Sequence, residues 1–213
     1  YVLNELNKKK LQACFFPSAS TVIENKLLDV HAIQFILAVT KNIFKLVSDL
    51  NSICIENGYT ENDIKTYWNS YTKPKNSQIN IGETKEVIYF KRMLQFVLPL
   101  KLRNKIIKIF FKKFVNSSTR EFAKGLYMNK NDLKKLLDSG MYIGSHTYNH
   151  LHLNTLNYEE QEIEINKSLD FLNEIGAETK NWIMCYPYGS YDENTICILK
   201  KKIVFLVLQL NLK

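Results

Sequence analysis

The stretch Ser145-His-Thr-Tyr-Asn-His-Leu-His-Leu153 holds three of the chain's four histidines, and the rest of the sequence is read outward from it. His146 and His150 stand four residues apart. Where a strand end turns into a helical loop, residues at that spacing share one side. Neutral imidazoles are good ligands for zinc and related divalent ions. A catalytic zinc takes about three protein ligands and keeps one position open for water, so a histidine pair needs a further carboxylate or imidazole. An isolated His-x-x-x-His is more often a polar surface turn. Here the pair follows the apolar run Met141-Tyr-Ile143 and then Gly144-Ser145. The carboxyl ends of strands are where α/β sites form.

The flanking segments support that placement. Asn129 or Asn131 can cap a helix through Leu133, Leu136 and Leu137, which Gly140 ends. Asn157 and Glu160 have capping-box spacing and open a helix to about Ile175, stopped by Gly176. Trp182-Ile-Met-Cys-Tyr186 reads as a strand, broken by Pro187 and Gly189. Asp192 caps a last helix to about Lys202, and Ile203-Val-Phe-Leu-Val-Leu208 is expected to be a buried strand. At the other end, Tyr1 to Lys10 reads as the last part of a helix with lysines at its negative end. Leu11-Gln-Ala-Cys-Phe-Phe16, stopped by Pro17, reads as a buried strand. Helix and strand alternate as in an α/β fold.

The middle differs. From about Leu27 to Leu126 apolar residues recur at helical spacing, first from Ile33 to Leu50 in a helix ending near Gly58. A polar, turn-rich stretch is expected from about Tyr67 to Asn80, then helices over Glu83–Val97 and Leu102–Val115, divided by Pro99. Residues 27–127 are read as a helical insertion between segments 1–26 and 128–213.

Composition bounds the function. Apolar residues make up 46% of 213, enough for a real core and unlike a disordered chain. The net charge is +8, from 29 basic and 21 acidic residues. The basic residues are spread out, and the densest run, Lys101 to Lys113, is interleaved with Ile and Phe as in an amphipathic helix. A solvated basic surface is the reading, not a nucleic-acid arm. No apolar run is long enough to span a bilayer, so no transmembrane segment is expected. Cys14, Cys54, Cys185 and Cys197 form no CxxC pair and are expected to be mostly buried free thiols, which suits a reducing compartment. The first residue is Tyr1 rather than Met, so the chain is processed or a fragment, and the compartment is left as cytoplasmic or cell-envelope associated. His31 is expected at the surface or as a cap; His152 could reach the site from the same loop, with solvent contact the favoured reading.

A second motif, Cys185-Tyr-Pro-Tyr-Gly-Ser-Tyr191, also stands at a strand end. Tyrosines flanking a proline, then glycine, make a rigid turn whose aromatic faces suit sugar rings. A fixed backbone N–H there can donate to a developing oxyanion. Alone, the motif would pass for an ordinary turn with packed tyrosines.

Together the two motifs resemble the polysaccharide deacetylase family (the NodB-homology domain, carbohydrate esterase family four). Its pattern H-[ST]-x-x-H is similar to His146-Thr147-Tyr148-Asn149-His150, and its later aromatic-proline turn to Tyr186-Pro187-Tyr188-Gly189. Lys10 to Pro17 looks like the family's second strand. The resemblance covers about residues 1–26 and 128–205. It implies an α/β fold, a distorted and here incomplete (β/α) barrel with a large helical insertion. It implies a divalent metal, zinc first, held by His146 and His150, with Thr147 bracing the loop. Tyr188, with Pro187 and Tyr186, would serve the oxyanion and substrate. The implied reaction frees acetate from an N-acetylated glycan. By the same resemblance, the general base and third ligand are expected before Tyr1 and the general acid after Lys213. The arginine usual before the aromatic turn is replaced by Trp182-Ile-Met-Cys185, and impaired activity is expected. Two other readings stand beside it: a non-catalytic glycan- or metal-binding relative, and a helical interaction protein with incidental histidines.

Overall fold

A computed structural model describes residues 1–72 and 82–209. They divide into two compact units, Tyr1–Lys26 with Ala123–Lys213, and Leu27–Phe122. The first unit opens with helix α1 (Val2–Lys8), strand β1 (Cys14–Phe15) and the short helix α2 (Ala19–Ile23).

The second unit is helical: α3 (Asp29–Val39), α4 (Ile43–Glu56), α5 (Glu61–Thr72), α6 (Lys85–Arg92), α7 (Leu100–Phe110) and the start of α8 (Thr119–Leu126). The helix expected from Ile33 to Gly58 is two. The chain turns extended at Thr40, and the Asn42 side chain accepts the Lys45 amide to start a fresh helix. Helix α5 extends into the stretch expected to be turn-rich, over Tyr67 to Thr72. Its N-terminus is secured by a reciprocal pair, Thr60 N–H to Asp63 Oδ2 at 2.8 Å and Asp63 N–H to Thr60 Oγ1 at 3.1 Å. Trp68 packs on Tyr89 with ring centroids 5.1 Å apart. Residues 73–80 of that stretch lie outside the described residues. Helices α6 and α7 each close with a π-helical turn, Met93–Val97 and Phe111–Val115, and Pro99 stands between them as expected. Lys101, Lys105 and Lys108 of α7 lie outward while Ile106, Ile107 and Phe110 are buried.

The first unit continues with α9 (Lys130–Asp138), β2 (Tyr142–Ile143), α10 (Tyr158–Glu174), β3 (Ile183–Cys185), α11 (Glu193–Lys201) and β4 (Leu206–Leu208). The predicted caps form. Asn129, Asn157 and Asp192 each close a capping box, with Asp132, Glu160 and Thr195. Gly140 and Gly176 follow their helices with φ of 75° and 80°, values that favour glycine.

All four strands run parallel. β1 pairs with β2 and β3 with β4, and a single bridge from Ser145 to Met184 joins the pairs. Apolar side chains pack in two clusters: Leu133, Met141, Ile143 and Phe171 in one, Ile165, Trp182, Met184 and Ile198 in the other. Burying each such side chain stabilises by about 1.5–3 kcal/mol. Gly144 lets the joint close. A Cβ there would sit 2.6 Å from the Ile183 carbonyl oxygen and 2.5 Å from the Phe16 ring.

The described strands form two short parallel pairs, an α/β arrangement as expected. One expectation is corrected. The tail strand is not buried: Phe205 is 71% exposed, and Leu206 and Leu208 are exposed too. Among the described residues β4 has only β3 beside it, so its outer edge and face meet solvent. The cysteines also differ from expectation. Cys54 is buried and Cys185 half-buried, whereas Cys14 and Cys197 are exposed.

Candidate metal centre

The site lies wholly in the first unit, at the carboxyl ends of β2 and β3. The loop after β2 is built from hydrogen bonds rather than from a helix. Ser145 passes its amide to the Ile183 carbonyl and takes the Cys185 amide on its own, both at 2.9 Å. The amides of Ala19 and Ser20, orphan donors at the start of α2, reach the carbonyls of Thr147 and Tyr148 at 3.2 and 3.0 Å. Ser18 Oγ donates to the His146 carbonyl at 3.2 Å.

Within this frame the chain turns through two left-handed residues that are not glycine, Thr147 at φ 60° and His150 at φ 59°. Such conformations cost of order 1–3 kcal/mol and persist where the surroundings over-determine them. Thr147 Oγ1 accepts the His150 amide at 3.1 Å, which closes the turn from inside. As a result the rings of His146 and His150 meet edge to face, with centroids 4.7 Å apart.

His146 links the two motifs. Its Nδ1 lies 2.7 Å from the Cys185 carbonyl oxygen. A carbonyl only accepts, so Nδ1 carries the proton and Nε2 keeps its lone pair in the neutral ring. Burial pushes the His146 pKa below its ordinary value, and the bond to Cys185 offsets this in part. The ring is therefore neutral at pH 7, the form that ligates metals. A second hydrogen bond that orients a ligating imidazole is the usual support of such ligands.

The Tyr186–Gly189 turn stands beside the pair. Tyr188, left-handed at φ 57°, is 43% exposed. Its ring meets His150 edge to face at 4.7 Å and stacks flat on His152 at 3.9 Å. His152 is partly exposed, as expected, and also packs on the turn. Pro187 is buried, and Tyr186 is buried and stacks on Tyr191 at 4.8 Å. Burial and the neighbouring Tyr191 push the Tyr186 pKa up to about 12, so its hydroxyl stays protonated. His31 is far from this chemistry in sequence and unit. It lies inside the first turn of α3, half-buried, and Leu28 holds the cap position expected of it.

The donor chemistry suits a divalent transition ion in kind: two imidazoles meet edge to face, and one is fixed in the ligating tautomer. In number it is partial. Among the described residues no third His, Cys, Asp or Glu joins them in a cluster able to hold a metal.

Sequence reasoning missed the residues that support the loop: Ser18, Lys26, Ser145, Asn149, Glu164 and Ser168. One signal was available. Gln161, Glu164 and Ser168 fall on the same stripe of α10 as buried Ile165, Phe171 and Leu172, and a carboxylate at a core position needs a polar partner.

An α/β unit with its polar residues at the carboxyl ends of parallel strands defines the general class. Residues 103–203, from α7 to just past α11, match the family model for polysaccharide deacetylase. Three solved structures are similar over part of their length. The deacetylase PplD from Streptococcus pyogenes, in complex with acetate, is 20% identical over 52% of this chain and 50% of its own, with a TM-score of 0.38. A family 4 carbohydrate esterase from Streptomyces lividans, in complex with acetate, is 22% identical over 37% of this chain and 41% of its own, with a TM-score of 0.35. A carbohydrate esterase family four pseudoenzyme from Bacillus anthracis is 18% identical over 37% of this chain and 28% of its own, with a TM-score of 0.35. The chain thus spans half or less of these structures' length, and overlaps this partial add nothing to the family match. No curated protein matches the chain.

Proposed function

We propose that this chain carries part of the site of a metal-dependent polysaccharide deacetylase, a hydrolase of carbon–nitrogen amide bonds on N-acetylated glycans. The observation that carries the reading is the convergence of His146 and His150 beside the Tyr188 turn, with His146 locked as a neutral ligand by Cys185. A bound divalent ion, zinc first, supplies Lewis-acid polarisation of the acetamide carbonyl and lowers the pKa of water.

The chain's own residues have distinct tasks. His146 and His150 would supply the ring nitrogens that hold the ion. Thr147 keeps His150 turned inward through its amide. The backbone N–H of Tyr188, in the left-handed turn between Pro187 and Gly189, would donate to the developing oxyanion. The exposed face of Tyr188 offers an apolar surface to a sugar ring.

Turnover by this chain is expected to be low, because among the described residues no third His, Cys, Asp or Glu joins the two imidazoles in a cluster. One observation favours a second reading, a non-catalytic metal- or glycan-binding relative: no third ligand joins the pair among the described residues. Acetate release from N-acetylglucosamine oligomers in the presence of zinc separates the two. Slow release that disappears in His146→Ala supports the deacetylase. Metal uptake with no release above background supports the binding relative.

A further inference from the structure

Helix α10 carries a buried polar ladder that serves both strand-end loops. Gln161 Nε2 donates to the Asp192 carboxylate at 3.1 Å, and Gln161 Oε1 accepts from Thr195 Oγ1 at 2.5 Å, which secures the start of α11. Ser168 Oγ meets Ser145 Oγ at 2.8 Å. Between them stands Glu164, only 5% exposed. Both of its oxygens turn to a single residue. Oε2 accepts the Asn149 backbone N–H at 2.7 Å, and Oε1 accepts the Asn149 side-chain amide at 2.5 Å. From the other side Lys26 Nζ donates to Asn149 Oδ1 at 2.7 Å. Asn149 is therefore gripped at three points, between a cation and an anion.

A carboxylate leaves water at a large cost unless its oxygens are bonded. Here that carboxylate is placed on the residue that immediately precedes His150. Asn149 also lies between the two left-handed residues, Thr147 and His150, whose backbone needs outside support.

We propose that Glu164 is a positioning residue: through Asn149 it holds the loop in the turn that keeps the imidazoles of His146 and His150 facing one point. The proposal rests on the reading of that pair as metal ligands. It assigns Lys26 the counter-charge that fixes the far side of the Asn149 amide. Groups that orient ligands from behind change metal affinity by about tenfold to a hundredfold when removed.

The test compares the wild-type chain with Glu164→Ala, Glu164→Gln, the double variant Glu164→Gln with Asn149→Asp, and Gln161→Ala. Zinc affinity is read by competition with a chromophoric chelator, loop order by hydrogen exchange of the Asn149 amide, and folding by the melting midpoint. Glu164→Gln sets an amide N–H against the Asn149 amide N–H, two donors facing each other. It is expected to weaken zinc binding at least tenfold and to speed Asn149 exchange at least tenfold. The double variant restores a donor–acceptor pair, with Lys26 still bonded, and is expected to recover most of both. Gln161→Ala, on the α11 side, is expected to lower the melting midpoint and leave zinc affinity unchanged. Folded Glu164 variants with wild-type zinc affinity and wild-type Asn149 exchange overturn the proposal. If the wild-type chain takes up no zinc, the metal reading fails, and Asn149 exchange alone decides the clamp: unchanged exchange in Glu164→Gln overturns it. Should Glu164→Ala not fold, the two glutamine variants carry the decision.

Discussion

His152 lies flat on Tyr188, with ring centroids 3.9 Å apart and planes 12° from parallel. The stack ties the end of one motif to the tip of the other and fixes a tyrosine held in a left-handed backbone. Paired rings of this kind contribute about 0.5–1.5 kcal/mol beyond their buried area. His152→Ala is expected to cost about that much in urea denaturation, while His152→Phe keeps most of it. Equal stability of the alanine variant and wild type counts against a structural stack.

The close passage at Gly144 makes a sharper prediction. An added Cβ meets the Ile183 carbonyl oxygen at 2.6 Å and the Phe16 ring at 2.5 Å. The ring can move; the carbonyl belongs to the strand that positions Cys185 and so His146. Gly144→Ala is expected to destabilise by about 1–3 kcal/mol, as overpacking does. It should also weaken zinc binding, measured on the fraction that remains folded.

Acid should loosen the first unit in a defined direction. Burial sets the folded pKa of His146 below its ordinary value of 6.5. Between those two values the unfolded chain binds more protons than the folded one, so stability rises with pH there. The contribution is fully present above the unfolded value and is lost as pH falls through the folded one. His31, also lowered by burial, acts with the same sign in the helical unit. Urea midpoints from pH 7.5 to pH 5 should fall, and His146→Gln should flatten part of that slope. A profile unchanged by the substitution contradicts the burial argument.

The four thiols should report the packing one by one. Cys14 and Cys197 are exposed and should react with a thiol reagent in the native protein. Cys54 is buried, and burial pushes its pKa up to about 11, so its thiolate is scarce at pH 8. Cys54 should label only as fast as the helical unit opens. Mass spectrometry of the labelled peptides gives the order directly.

Much of this architecture was legible because its signals are local. The capping residues Asn129, Asn157 and Asp192 and the stops at Gly140 and Gly176 act within a few residues, and each falls where spacing predicts. The break at Thr40 was not legible, since hydrophobic periodicity runs through it and only the Asn42 side chain marks the new start. Helix α5 was hidden by its polar composition, being held through Trp68 on Tyr89. The exposure of β4 depends on which strands lie beside it, which no run of apolar residues reveals. At the site, the histidine pair and the tyrosine turn could be read directly. Glu164 was not, because its partner is fifteen residues away and the pairing exists only once α10 packs against the loop.

Zinc titration of the purified chain, with His146→Ala and His150→Ala alongside, tests the central claim most directly. The expected result is one zinc per chain, bound through imidazole nitrogens at about 2.0–2.1 Å by X-ray absorption and weakened at least tenfold in either variant. Zinc uptake that both alanine variants retain in full, or no uptake by the wild-type chain, contradicts it.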